Sequence, residues 1–406
     1  MGEINKGVTE QMKHLEFTRD VVHSYSKGVK RVINLALNYV YDMEAEGVSG
    51  RRNVIWAGGL AESPLFYACG ATPLALSELG RLGSADAMQI AENDFQMPRE
   101  ACSMVKVLTG EYFLRKDSTV KRILFRGNAC EPINMCAELM TKYGYDFRVL
   151  DTGFASPDMT PERKQALIDN FKREVEDAAV WISGKPLDKA RLREEMNRYN
   201  RSMRKVRTIM NLRREHNTYI RSLPAMFIIL GSTHYFGRYD EYMEALDMII
   251  EEMSLLAPGD YNDDSLVRLV WSGGRGMEFG VYEAIDDAGA CIMGWNLLNT
   301  FETGFSEDPE KDPLDAFVEY QVGGKNSGSV EDSFRAMDVQ IRKSNAVGII
   351  LYGYVGCSMG SIMFELQREH YRKRGISAMS VAGSFQVGPP TGQLVTRVKA
   401  FIEMLS

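Results

Sequence analysis

The hydrophobic positions change their period along the chain, and the changes divide it into segments. Through "EQMKHLEFTRDVVHSYSKGVKRVINLALNYVYDMEAEG" apolar residues recur at helical spacing and a Gly stands where the helix would stop. Residues 1–48 therefore read as an N-terminal helical arm. From about residue 53 short apolar runs alternate with helical stretches. "VIWA", "RILF" and "FRVL" predict strands, and this alternation favours a parallel sheet within a first α/β domain, 49–185. A charged helical region follows, 186–260, in which "PLDKARLREEMNRYNRSMRKVRTIMNLRREH" and "YDEYMEALDMIIEEMSLLA" predict long helices. Its charge pattern reads as a solvated connector, with a contact to a CoA phosphate as the alternative. The alternation then returns: "LVRLVWS", "ACIM", "VGIILYG" and "SAMSVAG" predict the strands of a second α/β domain, 261–406, with "SEDPEKDPLD" as a loop.

Composition narrows the partners. A chain of 406 residues is long enough for two full cores, and 45% hydrophobic with 25% charged residues is the ordinary globular mixture. The formal charge of −7 argues against a nucleic-acid binder that relies on a broad phosphate-neutralising surface. The first residues, "MGEINKGVTEQMKHLEFTRD", lack the apolar core of a signal peptide, and no run of about 18 apolar residues occurs, so a cytoplasmic protein without a membrane partner is expected. In that reducing compartment the six cysteines are not a disulfide framework. Each is core filler, nucleophile or metal ligand.

Two of them stand in matching places. "ILFRGNAC" ends at Cys130 and "ILYGYVGC" at Cys357; each stretch is an apolar run, then small or turn-forming residues, then a cysteine that precedes an amphipathic helix. This puts both outside the carboxyl end of a parallel strand, where doubly wound sheets bind ligands, and at a helix N-terminus, which favours the thiolate. Cys102 lies in "DFQMPREACSMVKVLTG"; Pro98 suits a first helical turn, which would set Cys102 within the helix's opening turns. Three thiolates from separate elements could hold three irons of a [4Fe–4S] cluster and leave the fourth open. Buried, inert thiols are the other reading, since no CxxC pair is present. Cys69 and Cys291, in apolar settings, read as core filler. Cys136 follows Cys130 by six residues, about 240° around a helix, and is left out of the site.

Other motifs add little. "WSGGRGMEFG" is either a phosphate cradle or a tight turn, "GGKNSG" lacks the hydroxyl that a P-loop sets on magnesium, and the five histidines form no paired-ligand spacing.

At these residues the chain resembles the superfamily of 2-hydroxyacyl-CoA dehydratase and benzoyl-CoA reductase cluster subunits. The resemblance runs in order through "AESPLFYACGATPLAL", "REACSMVKVLTG", "FRGNACEPINMCAEL", "ISGKPLDKARLREEMNRYN", "GCSMGSIMFELQREHYRKRGI" and "GQLVTRVKAFIEML". It implies two Rossmann-like parallel-sheet domains facing across a cleft, with Cys102, Cys130 and Cys357 holding a [4Fe–4S] cluster there. It further implies a homologous cluster subunit as heterodimer partner, a separate ATP-dependent iron–sulfur activator, and an acyl-CoA substrate. The reaction implied is radical elimination of water from a 2-hydroxyacyl-CoA through a ketyl, giving the enoyl-CoA. An aryl-CoA reductase subunit and an electron-relay protein are the alternatives within the superfamily; a cluster-storage protein and a metal-free ligand binder are those outside it. Where substrate-handling subunits tend to carry a hydroxyl residue, this chain has Ala57, Gly58 and Gly59, which offer only backbone donors. Arg126 and Asn128 are the candidate polar contacts beside Cys130, with a turn-stabilising role open for Asn128.

Overall fold

A computed structural model describes residues 6–58, 63–78, 85–127, 130–151, 153, 158–296, 304–322, 330–385 and 387–406. Gly59, Asn128 and the "GGKNSG" stretch lie outside the described residues.

The chain forms two four-stranded sheets, parallel throughout. The first holds β1 (Asn53–Ala57), β2 (Ala71–Ala75), β3 (Arg122–Arg126) and β4 (Asp146–Leu150) in the order β2-β1-β3-β4. The second holds β5 (Val267–Gly273), β6 (Ala290–Asn296), β7 (Gly348–Tyr354) and β8 (Ser377–Gly383) in the order β6-β5-β7-β8. The two orders are the same. The likeness between "ILFRGNAC" and "ILYGYVGC" thus has a structural cause, because β3 and β7 are the equivalent third strands of two copies of one topology. Central strands covered on both faces need continuous apolar runs, and Ile123–Phe125 and Ile349–Leu351 supply them.

The alternation of apolar runs did not disclose β2, whose Pro73 argues against a strand. Proline is admissible there because β2 is an edge. Its open side is covered by Tyr39 from the helix Lys27–Val48, whose hydroxyl donates to the Pro73 carbonyl at 2.8 Å and accepts from the Ala75 N–H at 3.1 Å. A row of free backbone groups that could pair with another chain is thereby closed.

The charged middle of the chain is not a solvated connector. The helix Lys189–Glu215 buries one whole face, Leu192, Met196, Tyr199, Met203, Val206 and Met210 among it. The helix that follows, Ser222–His234, is buried on nearly every side. Arg213 is buried with them and donates to the carbonyls of Ile220 and Ile292, each at 2.6 Å, which fastens this layer to β6. Charge counting misjudged this helix because its charges are confined to the outer face. The N-terminal helix Lys27–Val48 packs on the same layer, so one apolar core takes in residues from Leu15 to Ile402, while a second, smaller one gathers Val270, Met337, Ile349, Leu351 and Phe364 in the second half. Among the described residues, no helix is long and apolar enough to cross a membrane.

Candidate metal centre

In a parallel sheet of this order the chain leaves β1 toward one side and returns to the other, which opens a crevice at the carboxyl ends of the two central strands. In the first sheet those ends are Ala57–Gly58 and Arg126–Gly127; in the second they are Gly273–Arg275 and Tyr354–Cys357. Cys130 and Cys357 both follow the returning strand.

Each of the three candidate cysteines stands at the N-cap of a helix. Cys130 opens Glu131–Met140 with extended backbone, and its carbonyl accepts from the N–H groups of Ile133 (3.2 Å) and Asn134 (3.3 Å). Cys357 opens Ser358–Arg372, and its Sγ accepts from the Gly360 N–H at 3.3 Å. Cys102 opens Ser103–Leu114 and is not inside it, contrary to the expectation from Pro98. Tertiary contacts set that boundary. The Arg99 carbonyl accepts from the buried Lys106 ammonium at 2.8 Å, and the first helical N–H, that of Ser103, donates to Val355 of the other half at 2.8 Å.

That last bond joins the two halves at the cysteines. Gly356 has φ +79°, and a Cβ there would lie 2.5 Å from the Glu100 carbonyl oxygen and 2.6 Å from the Ala101 carbonyl carbon. The segments leading into Cys102 and Cys357 therefore touch backbone to backbone. A second stitch runs from the Phe385 N–H, past the end of β8, to the Ser103 hydroxyl at 3.1 Å. The neighbouring Cys357 thiol, with burial adding to it, raises the Cys102 pKa far above that of an ordinary thiol.

Cys130 starts the neighbouring helix at the same end of the structure. The helices Ser103–Leu114 and Glu131–Met140 lie side by side, with the Thr109 hydroxyl 3.0 Å from Cys136 Sγ. At their far ends Phe113 meets Tyr143 with ring centroids 5.2 Å apart, and the Tyr145 hydroxyl donates to the Tyr112 carbonyl at 2.8 Å. The two helices thus run in one direction, from Cys102 and Cys130 respectively. Cys102 and Cys357 are brought together at the junction of the halves, and Cys130 stands at the adjacent helix start. Among the described residues, no three His, Cys, Asp or Glu side chains converge as a metal's ligands would.

The remaining thiols are packed away. Burial pushes the Cys69 and Cys291 pKa values up to about 11, and that of Cys136 to about 12 against the opposing hydrogen bond from Thr109. Of the polar candidates, Ala57 is buried at the end of β1 and the Gly58 N–H donates to the Leu124 carbonyl at 2.9 Å. A Cβ at Gly58 would fall 1.9 Å from the Phe125 ring, so the glycine is needed for strand-to-strand approach. Arg126 is buried and donates to Gln321, to its carbonyl at 2.8 Å and its side-chain oxygen at 3.2 Å, tying β3 to the helix Pro313–Val322.

Sequence reasoning missed the buried polar network beside the cysteine pair. "WSGGRGMEFG" is a tight turn, with Gly273 at φ +100° and Gly276 at φ +73°, closed by a 2.7 Å bond from the Trp271 indole N–H to the Gly274 carbonyl. Its Arg275 forms a buried ion pair with Glu78, which follows β2. Its Glu278 accepts from the Tyr352 hydroxyl at 2.6 Å, and burial raises the carboxyl's pKa. Tyr354 reaches from β7 to Gly274, while its carbonyl accepts from the Cys357 N–H at 3.0 Å; burial lifts its phenol pKa to about 12. An arginine set among glycines was the available signal.

Direct comparison with curated proteins gives no match. The family model described as 2-hydroxyglutaryl-CoA dehydratase, D-component, does match, over residues 61–405, a span that takes in both sheets from the end of β1 onward and all three N-cap cysteines; the chain belongs to that family.

Proposed function

We propose that this chain is the [4Fe–4S]-bearing component of a 2-hydroxyacyl-CoA dehydratase, with Cys102, Cys130 and Cys357 as the cluster's protein ligands. One observation carries the reading: in a chain of this family, Cys102 and Cys357, each at the start of a helix, stand on segments that meet backbone to backbone across the two halves. The donor set suits the group, since thiolates are the ligands iron–sulfur clusters take, and at Cys102 the backbone N–H groups of Met104 and Val105 favour the thiolate against the neighbouring thiol and burial. Three cysteines would leave one iron without a protein ligand. When bound, the cluster would supply low-potential one-electron chemistry to a 2-hydroxyacyl-CoA, allowing loss of water to the enoyl-CoA.

The protein's own part is to hold and orient. The α/β halves 49–185 and 261–406 act as the two walls of the site, and the buried bonds from Ser103 to Val355 and from Phe385 to Ser103 set the spacing of two of the ligands. A homologous subunit and an ATP-dependent activator, both cytoplasmic, complete the system in this reading.

The test is iron and acid-labile sulfide per chain, with an EPR spectrum, on protein purified without oxygen. About four irons in wild type, with loss or altered spectra in Cys102→Ala, Cys130→Ala and Cys357→Ala, are expected. Absence of iron, or full loading in any of the three variants, would refute the ligand assignment. Reconstitution with partner and activator on a panel of 2-hydroxyacyl-CoAs then tests the reaction.

A further inference from the structure

We infer that in the cluster-free chain Cys102 and Cys357 form a reversible disulfide that locks the two halves of the molecule together, a covalent modification site distinct from any role in metal binding. The inference needs only the apposition of the two cysteine-bearing segments and would stand in a chain that never takes up iron.

Three features carry it. First, the Cys102 and Cys357 side chains are neighbours, close enough for one to act on the other's ionisation, although their positions are separated by more than half the chain. Second, their backbones are held against each other by interactions the thiols do not supply. Gly356 rests on the Glu100–Ala101 backbone, the Ser103 N–H donates to Val355, and the Phe385 N–H donates to the Ser103 hydroxyl. A cross-link between Cα atoms so constrained needs little backbone movement. Third, the pair is reachable: both thiols are only half-buried, and Val355, two residues before Cys357, is exposed on the surface. Among the described residues, burial and not a neighbouring thiol is what raises the pKa values of Cys69, Cys136 and Cys291.

The chemistry is a two-electron oxidation. Each thiol gives up its hydrogen, the S–S bond forms, and two protons and two electrons pass to the oxidant. With hydrogen peroxide, one sulfur attacks the peroxide oxygen to give a sulfenic acid and water, and the second sulfur displaces a second water from it. A dithiol reductant reverses the step by exchange. The consequence is a chain that, once stripped of its cluster by oxygen, protects two of its three candidate ligands and has to be reduced before reloading.

The experiment uses the full-length, iron-free protein treated with hydrogen peroxide and then alkylated, with intact mass and peptide mapping as readouts. Wild type should lose two hydrogen atoms, yield the Cys102–Cys357 cross-linked peptide, and regain both thiols with dithiothreitol. Cys102→Ser and Cys357→Ser should each abolish the cross-link. Gly356→Ala, whose added Cβ drives the two segments apart, should slow it by at least about tenfold. Two unlinked thiols in folded wild-type protein after exhaustive oxidation, or preferential linkage of either one to Cys130, would overturn the inference. A protein that binds no iron but forms this disulfide would refute the cluster proposal and leave the present one intact.

Discussion

Glu78 and Arg275 pair across the two halves with side chains only 1% and 5% exposed, so neither charge has water to fall back on. Deleting one partner leaves the other charge buried without this counter-ion, at a cost of about 3–5 kcal/mol, whereas replacing both with apolar side chains of similar volume is roughly neutral. For a chain of 406 residues, the entropy of unfolding at roughly 2.1 cal/mol/K per residue comes to about 0.85 kcal/mol/K, so either single loss should lower Tm by about 4–6 °C. The assay is thermal unfolding, without oxygen, of wild type, Glu78→Leu, Arg275→Met and the double variant, read as a double-mutant cycle. The singles should each fall by that amount and the double should recover most of it. A double variant that falls by the sum of the singles would show that the two groups do not depend on each other, and the reasoning from burial would fail. Because Gly274 beside Arg275 abuts the Tyr354 ring, whose carbonyl holds the Cys357 N–H, Arg275→Met should also disturb the cysteine pair.

Two further outcomes follow from the fold. Tyr39→Phe removes the group that satisfies both the Pro73 carbonyl and the Ala75 N–H on the free edge of β2; leaving them unpaired costs about 1–3 kcal/mol, or about 1–4 °C in Tm, and an unchanged Tm would mean that water replaces the hydroxyl. His23 is buried and hydrogen-bonded to the Thr18 carbonyl and the Arg221 N–H, and burial, with the nearby Arg221 and Arg213 charges adding, lowers its pKa from 6.5 to about 4. Below pH 6.5 the unfolded chain takes up a proton that the folded chain refuses, so stability is lost progressively down to about pH 4, by up to about 3 kcal/mol, and is unaffected by this group above that window. Unfolding of wild type and His23→Gln at about pH 7.5 and 5 should show a smaller acid loss in the variant; equal losses would remove His23 as the cause.

Local pattern was enough for most of the scaffold. Seven of the eight strands lie where short apolar runs predict them, most plainly the central ones, because a strand buried on both faces has to be apolar along nearly its whole length, and that requirement is written in consecutive residues. The placing of Cys130 and Cys357 after equivalent strands was legible for the same reason. β2 was not: whether Pro73 is tolerable depends on its being at a sheet edge and on Tyr39 covering that edge, and neither fact is local. Nor was the burial of Lys189–Glu215, since charge on one helical face says nothing about what the other face meets. The start of the Cys102 helix was displaced from its expected position by a hydrogen bond to Val355 in the opposite half. Above all, the contact of Cys102 with Cys357 and the pairing of Glu78 with Arg275 depend on how two separately patterned halves dock. Sequence determines what each half is made of; the relative position of the halves is set by shape and buried polar contacts between residues far apart in the chain, and it is that position which decides which thiols meet.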